Sequence, residues 1–311
     1  MSSVSALYEP LIGRDLDAIE PAIRAFRRGA SADDLFVAIA RFAVLSFAPS
    51  QHAKHAMLAT LSAWELRDDL GERFDEVLVE CARYVAESRQ PWSEPPIIDP
   101  PAVDDSTPRD PAELRAAVRD RDRLRGERWL AARLGDDELA RDLALVAAED
   151  AADLGHKLII TNAALKLVPI LGAKGKFVTL RAAVWEITSY EGEKTTPRAI
   201  DSASLLDSLI ANTNDVETAH GVFLFDAAVE RNVLDRVAGV LSVAPAPSPA
   251  LKASTHLQPY RLARDLGATL KAHAVVKRLK PKFPNVDFDR FLSAVHHNLE
   301  YGPSLEEWSF A

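Results

Sequence analysis

The sequence predicts an all-α protein of about twelve helices, arranged as pseudo-repeated helical hairpins around one histidine-lined core. Three observations carry that expectation. Apolar residues recur at helical spacing almost from end to end, and no stretch alternates as a strand would. Alanine, leucine, arginine and aspartate dominate while glycine is scarce at 13 of 311 residues, a mix that favours helix. Three histidines, His55, His156 and His220, also stand in one register of three similar segments.

Taken in chain order, Arg14 to Arg28 reads as a first helix. Ser31 with Asp34 forms a capping box ahead of a stripe of Leu35, Ala38, Ile39, Phe42 and Leu45. Pro49 and Ser50 interrupt, and the His55 helix then runs to about Leu70 and closes on Gly71. Phe74 to Glu87 is the next helix. Residues 91–111 carry seven prolines and several acids and read as an extended linker or a long surface loop. That stretch separates an N-terminal helical portion, 1–90, from the main portion, 112–311, with the two expected to pack as a single domain.

Beyond the linker, Glu113 to Arg133 is charged nearly all round, which reads as a solvated helix with local ion pairs. Asp137 to Asp153 is amphipathic, and Gly155 breaks it just before His156. Helices follow at His156 to Leu171, Lys176 to Tyr190, Ser202 to Ala211 and Glu217 to Val240. A second proline-rich connector, Ala244 to Pro249, leads to helices from Leu257 to Lys280 and from Asp287 to Glu300.

The histidine segments define an internal repeat. After His55 come Leu58, Ala59, Ser62 and Ala63; after His156, Ile159, Ile160, Ala163 and Ala164; after His220, Phe223, Leu224, Ala227 and Ala228. These offsets trace one stripe of a helix, so each histidine opens an inward face. The first two copies also share Thr60 with Thr161, Leu66 with Leu167, and a closing Leu-Gly. A fourth copy is not resolved among His256, His273 and His296, while His297 faces solvent.

Composition bounds the function. A net charge of −9 argues against a general nucleic-acid surface. One cysteine, Cys81, leaves no intramolecular disulfide and no multi-thiolate cluster. Met1 to Glu20 lacks the pattern of a signal peptide. Leu158 to Gly172, broken by Thr161, Asn162, Lys166 and Pro169, reads as too short and polar to span a bilayer. A cytoplasmic location is the expectation.

Imidazoles converging from several helices can bind a transition metal or move protons. His55, His156 and His220 are therefore the candidate catalytic residues, and His52, three residues before His55, joins them as a candidate metal ligand. Glu65, Glu80 and Glu186 are candidate carboxylate partners, whereas Tyr84 and Tyr190 read as core or rim aromatics. No Glu-x-x-His pair, His-Glu-x-x-His, phosphate-binding glycine loop or Gly-x-Ser-x-Gly elbow occurs.

The run EDAADLGHKLIITNAALKLVPILG, residues 149–172, with QHAKHAML at 51–58 and ETAHGVFLFDAA at 217–228, resembles the helical region of some bacterial Rieske-type proteins. It is similar also to the questin oxidase-like family, whose members are helical and include ring-cleaving oxygenases of aromatic polyketides. A Rieske cluster needs two cysteines, and Cys81 stands alone, so that chemistry is absent. The resemblance implies an oxidoreductase acting on an apolar aromatic or polyketide-like substrate, with His55, His156 and His220 as its polar positions. The alternative is a non-catalytic all-helical binding or scaffold module. Imidazoles that converge on a cavity favour the enzyme; imidazoles bonded separately to helix-end carbonyls favour the module.

Overall fold

The computed structural model describes residues 4–49, 51–88, 99–192, 194–214, 216–242 and 261–297; the side chains of 51–52, 261–265 and 297 fall outside that description. The described chain forms α1 (Val4–Gly13), α2 (Leu16–Arg27), α3 (Ala32–Leu45), α4 (Gln51–Glu65), α5 (Arg67–Leu70), α6 (Phe74–Ser88), α7 (Pro111–Asp120) and α8 (Arg123–Ala132). It continues with α9 (Leu139–Ala148), α10 (His156–Leu171), α11 (Lys176–Ser189), α12 (Ser202–Asn212), α13 (His220–Arg231), α14 (Leu234–Leu241), α15 (Arg261–Leu279) and α16 (Phe288–His297). No strand occurs among the described residues; Asp150 and Lys194 make one isolated bridge. The Ala244 to Pro249 connector and His256 lie outside the described residues.

The all-α expectation holds, with sixteen helices among the described residues rather than about twelve. Each addition has a local cause. Helix α1 is held by buried Leu7 and Leu11 and by the Tyr8 hydroxyl, which donates to the Ala38 carbonyl at 2.9 Å. The charged run after Pro111 splits because Arg121 turns left-handed (φ 51°) and Asp122 then caps α8 by accepting from the Arg125 amide. It is not solvated all round: Leu114, Ala117, Trp129 and Leu130 are buried, and Arg125 pairs with Glu113 at 2.6 Å across the break. Asn232 (φ 55°) likewise separates α13 from α14, and the single turn α5 follows α4. The Ser31–Asp34 capping box forms as the spacing requires.

Four helices build the centre. His55 of α4, His156 of α10 and His220 of α13 lie together. Ten residues on, Glu65, Lys166 and Glu230 lie together too. Contacts at both ends in the same order make these helices parallel. Helix α15 joins them: Lys271 touches His55, and seven residues on Arg278 reaches Glu65 and Glu230. Parallel neighbours need return connections, which the remaining helices supply as an outer layer, α6 against α4, α11 against α10, α14 against α13 and α16 against α15.

The far level of this bundle is closed by charge. Around the circuit Glu65 (α4) pairs with Arg278 (α15), Arg278 with Glu230 (α13) at 3.8 Å, Glu230 with Lys166 (α10) at 3.0 Å, and Lys166 with Glu65. Signs alternate, so every neighbour is attractive. Asp226, with its side chain 3% exposed, adds a third carboxylate to Arg278 at 2.6 Å.

Helix α10 and the turn ahead of it, Asp153–Leu171, are long and apolar enough to cross a membrane by length and composition, a closer match than the sequence alone suggested. Two-thirds of that stretch (67%) is buried within the fold, which is the position of a core helix.

Removing Arg278 strands Asp226, Glu65 and Glu230 without their shared cation. Arg278→Met is expected to cost about 3–5 kcal/mol of unfolding free energy in a denaturant titration. Lys277→Met, which breaks an exposed pair with Asp69, is expected to cost no more than about 1 kcal/mol.

Candidate metal centre

The turn before His156 sets the geometry of one imidazole. Asp153 (φ 51°), Leu154 (φ 58°) and Gly155 (φ 77°) are three left-handed residues in succession. For non-glycine residues that conformation costs about 1–2 kcal/mol each, so the packing around the turn must hold it. A Cβ at position 155 would stand 2.6 Å from Leu224 Cδ2 of α13 and push that side chain aside, and the φ of 77° strains any residue but glycine there. The turn aims the Asp153 carbonyl at His156 Nδ1.

His220 repeats the device with an ordinary turn. Its Nδ1 donates to the Val216 and Glu217 carbonyls at 3.0 and 3.1 Å. A carbonyl can only accept, so Nδ1 carries the proton in both rings and Nε2 keeps its lone pair. His156 Nε2 and His220 Nε2 are buried and have no hydrogen-bond partner.

His55, in the second turn of α4, completes the group. Ring centroids are 5.0 Å apart for His55 and His156, 5.6 Å for His55 and His220, and 4.9 Å for His156 and His220. One ligand nitrogen from each falls within 4.8 Å of the others. His156 and His220 are buried, whereas His55 keeps some exposure. The His52 side chain is outside the described residues, so its place as a fourth ligand is not assigned.

All three imidazoles are held well below the ordinary histidine pKa. Burial is the chief cause each time, with Lys271 or Lys54 as nearby positive charge. The N-terminal ends of α10 and α13 add positive potential at their first residues. A neutral ring is the form that binds a metal.

Two lysines flank the cluster. Lys271 Nζ stands 2.9 Å from His55 Nδ1 and 5.2 Å from the Phe223 ring centroid. Burial and the charge of Lys54 lower its pKa to about 7. Lys54, on the other side, pairs with Asp153 and, at 3.2 Å, with the fully buried Glu186. Glu186 also accepts from the Tyr190 hydroxyl at 3.1 Å, and its other oxygen is unpartnered. Burial raises its pKa, opposed by Lys54.

None of the candidate carboxylates joins the histidines directly. Glu65 belongs to the charged ring, Glu80 pairs with Arg83, and Glu186 lies behind Lys54. Tyr84 is a core residue, and Tyr190 bonds to Glu186 outside the imidazole group.

The fourth repeat is α15, and its histidine position is Ala268. The +3 positions Leu58, Ile159 and Phe223 line one cavity with Lys271; the +7 positions Ser62, Ala163 and Ala227 line it with Val275. Counting back from Lys271 reaches Ala268. His273 instead meets His296 of α16, ring centroids 5.4 Å apart, away from the three-histidine group. The usable signal was the charge at +10, Glu65, Lys166, Glu230 and Arg278, rather than a fourth histidine.

No protein-family model, curated protein or solved structure matches this chain.

Lys271 gives a pH signature. Its folded pKa lies below its unfolded value, so between about pH 7 and 10.5 the unfolded chain holds a proton that the folded chain lacks. Stability of the metal-free protein therefore gains from this group as pH rises through that window, by up to about 1.4 kcal/mol per pH unit. Denaturant titrations at pH 7 and pH 10 should show wild type gaining relative to Lys271→Met; parallel pH profiles would refute the assignment.

Proposed function

We propose that this chain is a metal-dependent oxidoreductase of the questin oxidase-like kind, with His55, His156 and His220 holding one transition-metal ion through Nε2. The carrying observation is the pair of buried, partnerless Nε2 atoms on His156 and His220, in a group that brings one ligand nitrogen of each of the three imidazoles within 4.8 Å of the others. A buried polar atom without a partner costs on the order of 1–3 kcal/mol. A metal would convert two such costs into bonds.

The donor set fits. Three neutral imidazoles suit zinc, iron, copper or nickel. His156 and His220 have backbone carbonyls on their far nitrogens, the usual orienting partners of ligating histidines, while His55 Nδ1 meets the Lys271 amine. An ion about 2.0–2.1 Å from each nitrogen spaces a tetrahedral set roughly 3.3 Å apart. Nitrogens now up to 4.8 Å apart would draw inward on loading. The bound ion would supply a Lewis-acid or redox centre with coordination positions left for substrate.

The residues around it have separable parts in this reading. Asp153, whose carboxylate is 3.4 Å from His156 Nδ1, and Lys54 fix the helix start. The Lys271 amine, beside His55, is a group able to donate or accept a proton at a bound molecule. An apolar aromatic or polyketide-like substrate needs several hundred Å³. The axial cavity beneath the histidines offers about 40 Å³, so such a substrate would reach the ion from the helix-start side, where His55 is partly exposed. The lone buried thiol Cys81 suits a reducing, cytoplasmic setting.

The scaffold-module reading expected each imidazole to be bonded to its own helix-end carbonyl, and His156 and His220 are. Those bonds occupy Nδ1 only. They leave both Nε2 atoms buried and without a partner.

Metal analysis after reconstitution with ferrous iron or zinc tests the proposal. One equivalent per chain is expected, raising the melting temperature, with binding abolished in the triple His→Ala variant. No bound metal, together with unchanged stability in that variant, would sink it.

A further inference from the structure

Glu186 of α11 has a fully buried side chain, in surroundings that satisfy only half of its carboxylate. Oε1 meets Lys54 Nζ at 3.2 Å and accepts from the Tyr190 hydroxyl at 3.1 Å. Oε2 is buried with no hydrogen-bond partner. Taking a carboxylate out of water costs several kcal/mol, offset only where its remaining lone pairs are satisfied. The internal repeat does not account for this burial. The first copy has the same Glu–Tyr spacing in Glu80 and Tyr84, yet Glu80 is one-third exposed (32%) and pairs with Arg83 of its own helix.

What Glu186 holds is Lys54. That amine, its side chain 4% exposed, lies between Glu186 and Asp153 and pairs with both. Lys54 immediately precedes His55 on α4. Asp153 supplies the carbonyl that accepts from His156 Nδ1, and its carboxylate is 3.4 Å from the same nitrogen. One buried amine therefore joins the helix bearing His55 to the left-handed turn that aims His156. The Asp153 side chain is 45% exposed, so water screens its hold on Lys54. Glu186 grips the amine from the dry side, where charge is weakly screened. Lys54 is also a positive charge felt at His156, and Glu186 offsets it. The residues before the other two histidines, Gly155 and Ala219, have no side chain for such a part.

We propose that Glu186 is a positioning residue for the histidine centre, acting on His156 through Lys54 and Asp153. It touches no imidazole. It keeps the Lys54 amine at Asp153, so the Asp153 carbonyl stays on Nδ1 and Nε2 stays within the group. Its effect on the affinity for a cation rests on the proposed metal ion; its hold on His156 does not.

Glu186→Gln keeps the shape of the side chain, can still bond to Lys54 and Tyr190, and leaves Lys54 paired with Asp153. In ¹H–¹⁵N NMR of the metal-free full chain, the His156 Nδ1–H resonance is expected to be displaced by Glu186→Gln and unmoved by Glu80→Gln. Zinc affinity, measured by chelator competition, is expected to fall about 10-fold in Glu186→Gln and to hold in Glu80→Gln. The melting temperature of metal-free Glu186→Gln should not fall. Tyr190→Phe, which removes the second bond to Glu186 Oε1, should displace the same resonance and decides the matter if Glu186→Gln does not fold. An unmoved His156 resonance, or a loss of zinc affinity matched by an equal loss of stability, would overturn the proposal. A wild type that takes up no zinc while the resonance is still displaced would overturn the metal ion and leave the positioning role standing.

Discussion

The closed circuit of Glu65, Arg278, Glu230 and Lys166 is the interaction on which the rest of the structure depends. Each ion pair ties two parallel helices at the same axial level. Ten residues of helix span about 15 Å, so fixing one level fixes the other. A slip of one turn in α4, α10 or α13 would break two pairs at once and carry its histidine about 5.4 Å out of the cluster. Buried charge is poor at adding stability but good at specifying register, and register is what a site assembled from three separate helices requires.

That register is maintained against several costs. Two left-handed non-glycine residues, Asp153 and Leu154, precede His156. The Nε2 atoms of His156 and His220 are buried without partners, and Lys271 is buried beside the third ring with no carboxylate of its own among the described residues. A sequence free to relax would replace these groups with leucine or valine. Costs gathered on one spot, offset by an otherwise continuous core, are the observation on which the proposed metal site rests. The small residues at +7 and +8 on α10 and α13 let the helices close around that spot while leaving the axial cavity.

Much of this was legible in the sequence, and the unread parts have physical reasons. Helical periodicity, the Ser31 capping box and the breaks at Gly71, Gly155 and Gly172 are local, and local rules found them. The common register of His55, His156 and His220 was visible because one residue type repeats. Helix α15 was missed as the fourth copy because Ala268 replaces the histidine and Lys271 replaces an apolar +3 residue. Following apolar positions alone also passed over the charges at +10, which only alternate in sign once the helices are arranged in a ring. The breaks at Arg121 and Asn232 went unread because neither is glycine, and the carboxylate partners were misplaced because spacing along one helix does not say which neighbour faces it.

The central claim is that three parallel helices present one shared metal site. X-ray absorption at the zinc edge of the zinc-loaded protein tests it most directly. The account predicts three imidazole nitrogens at about 2.0–2.1 Å, with one fewer in each of His55→Ala, His156→Ala and His220→Ala. A shell of oxygen scatterers alone, or a nitrogen shell unchanged by those substitutions, would contradict it.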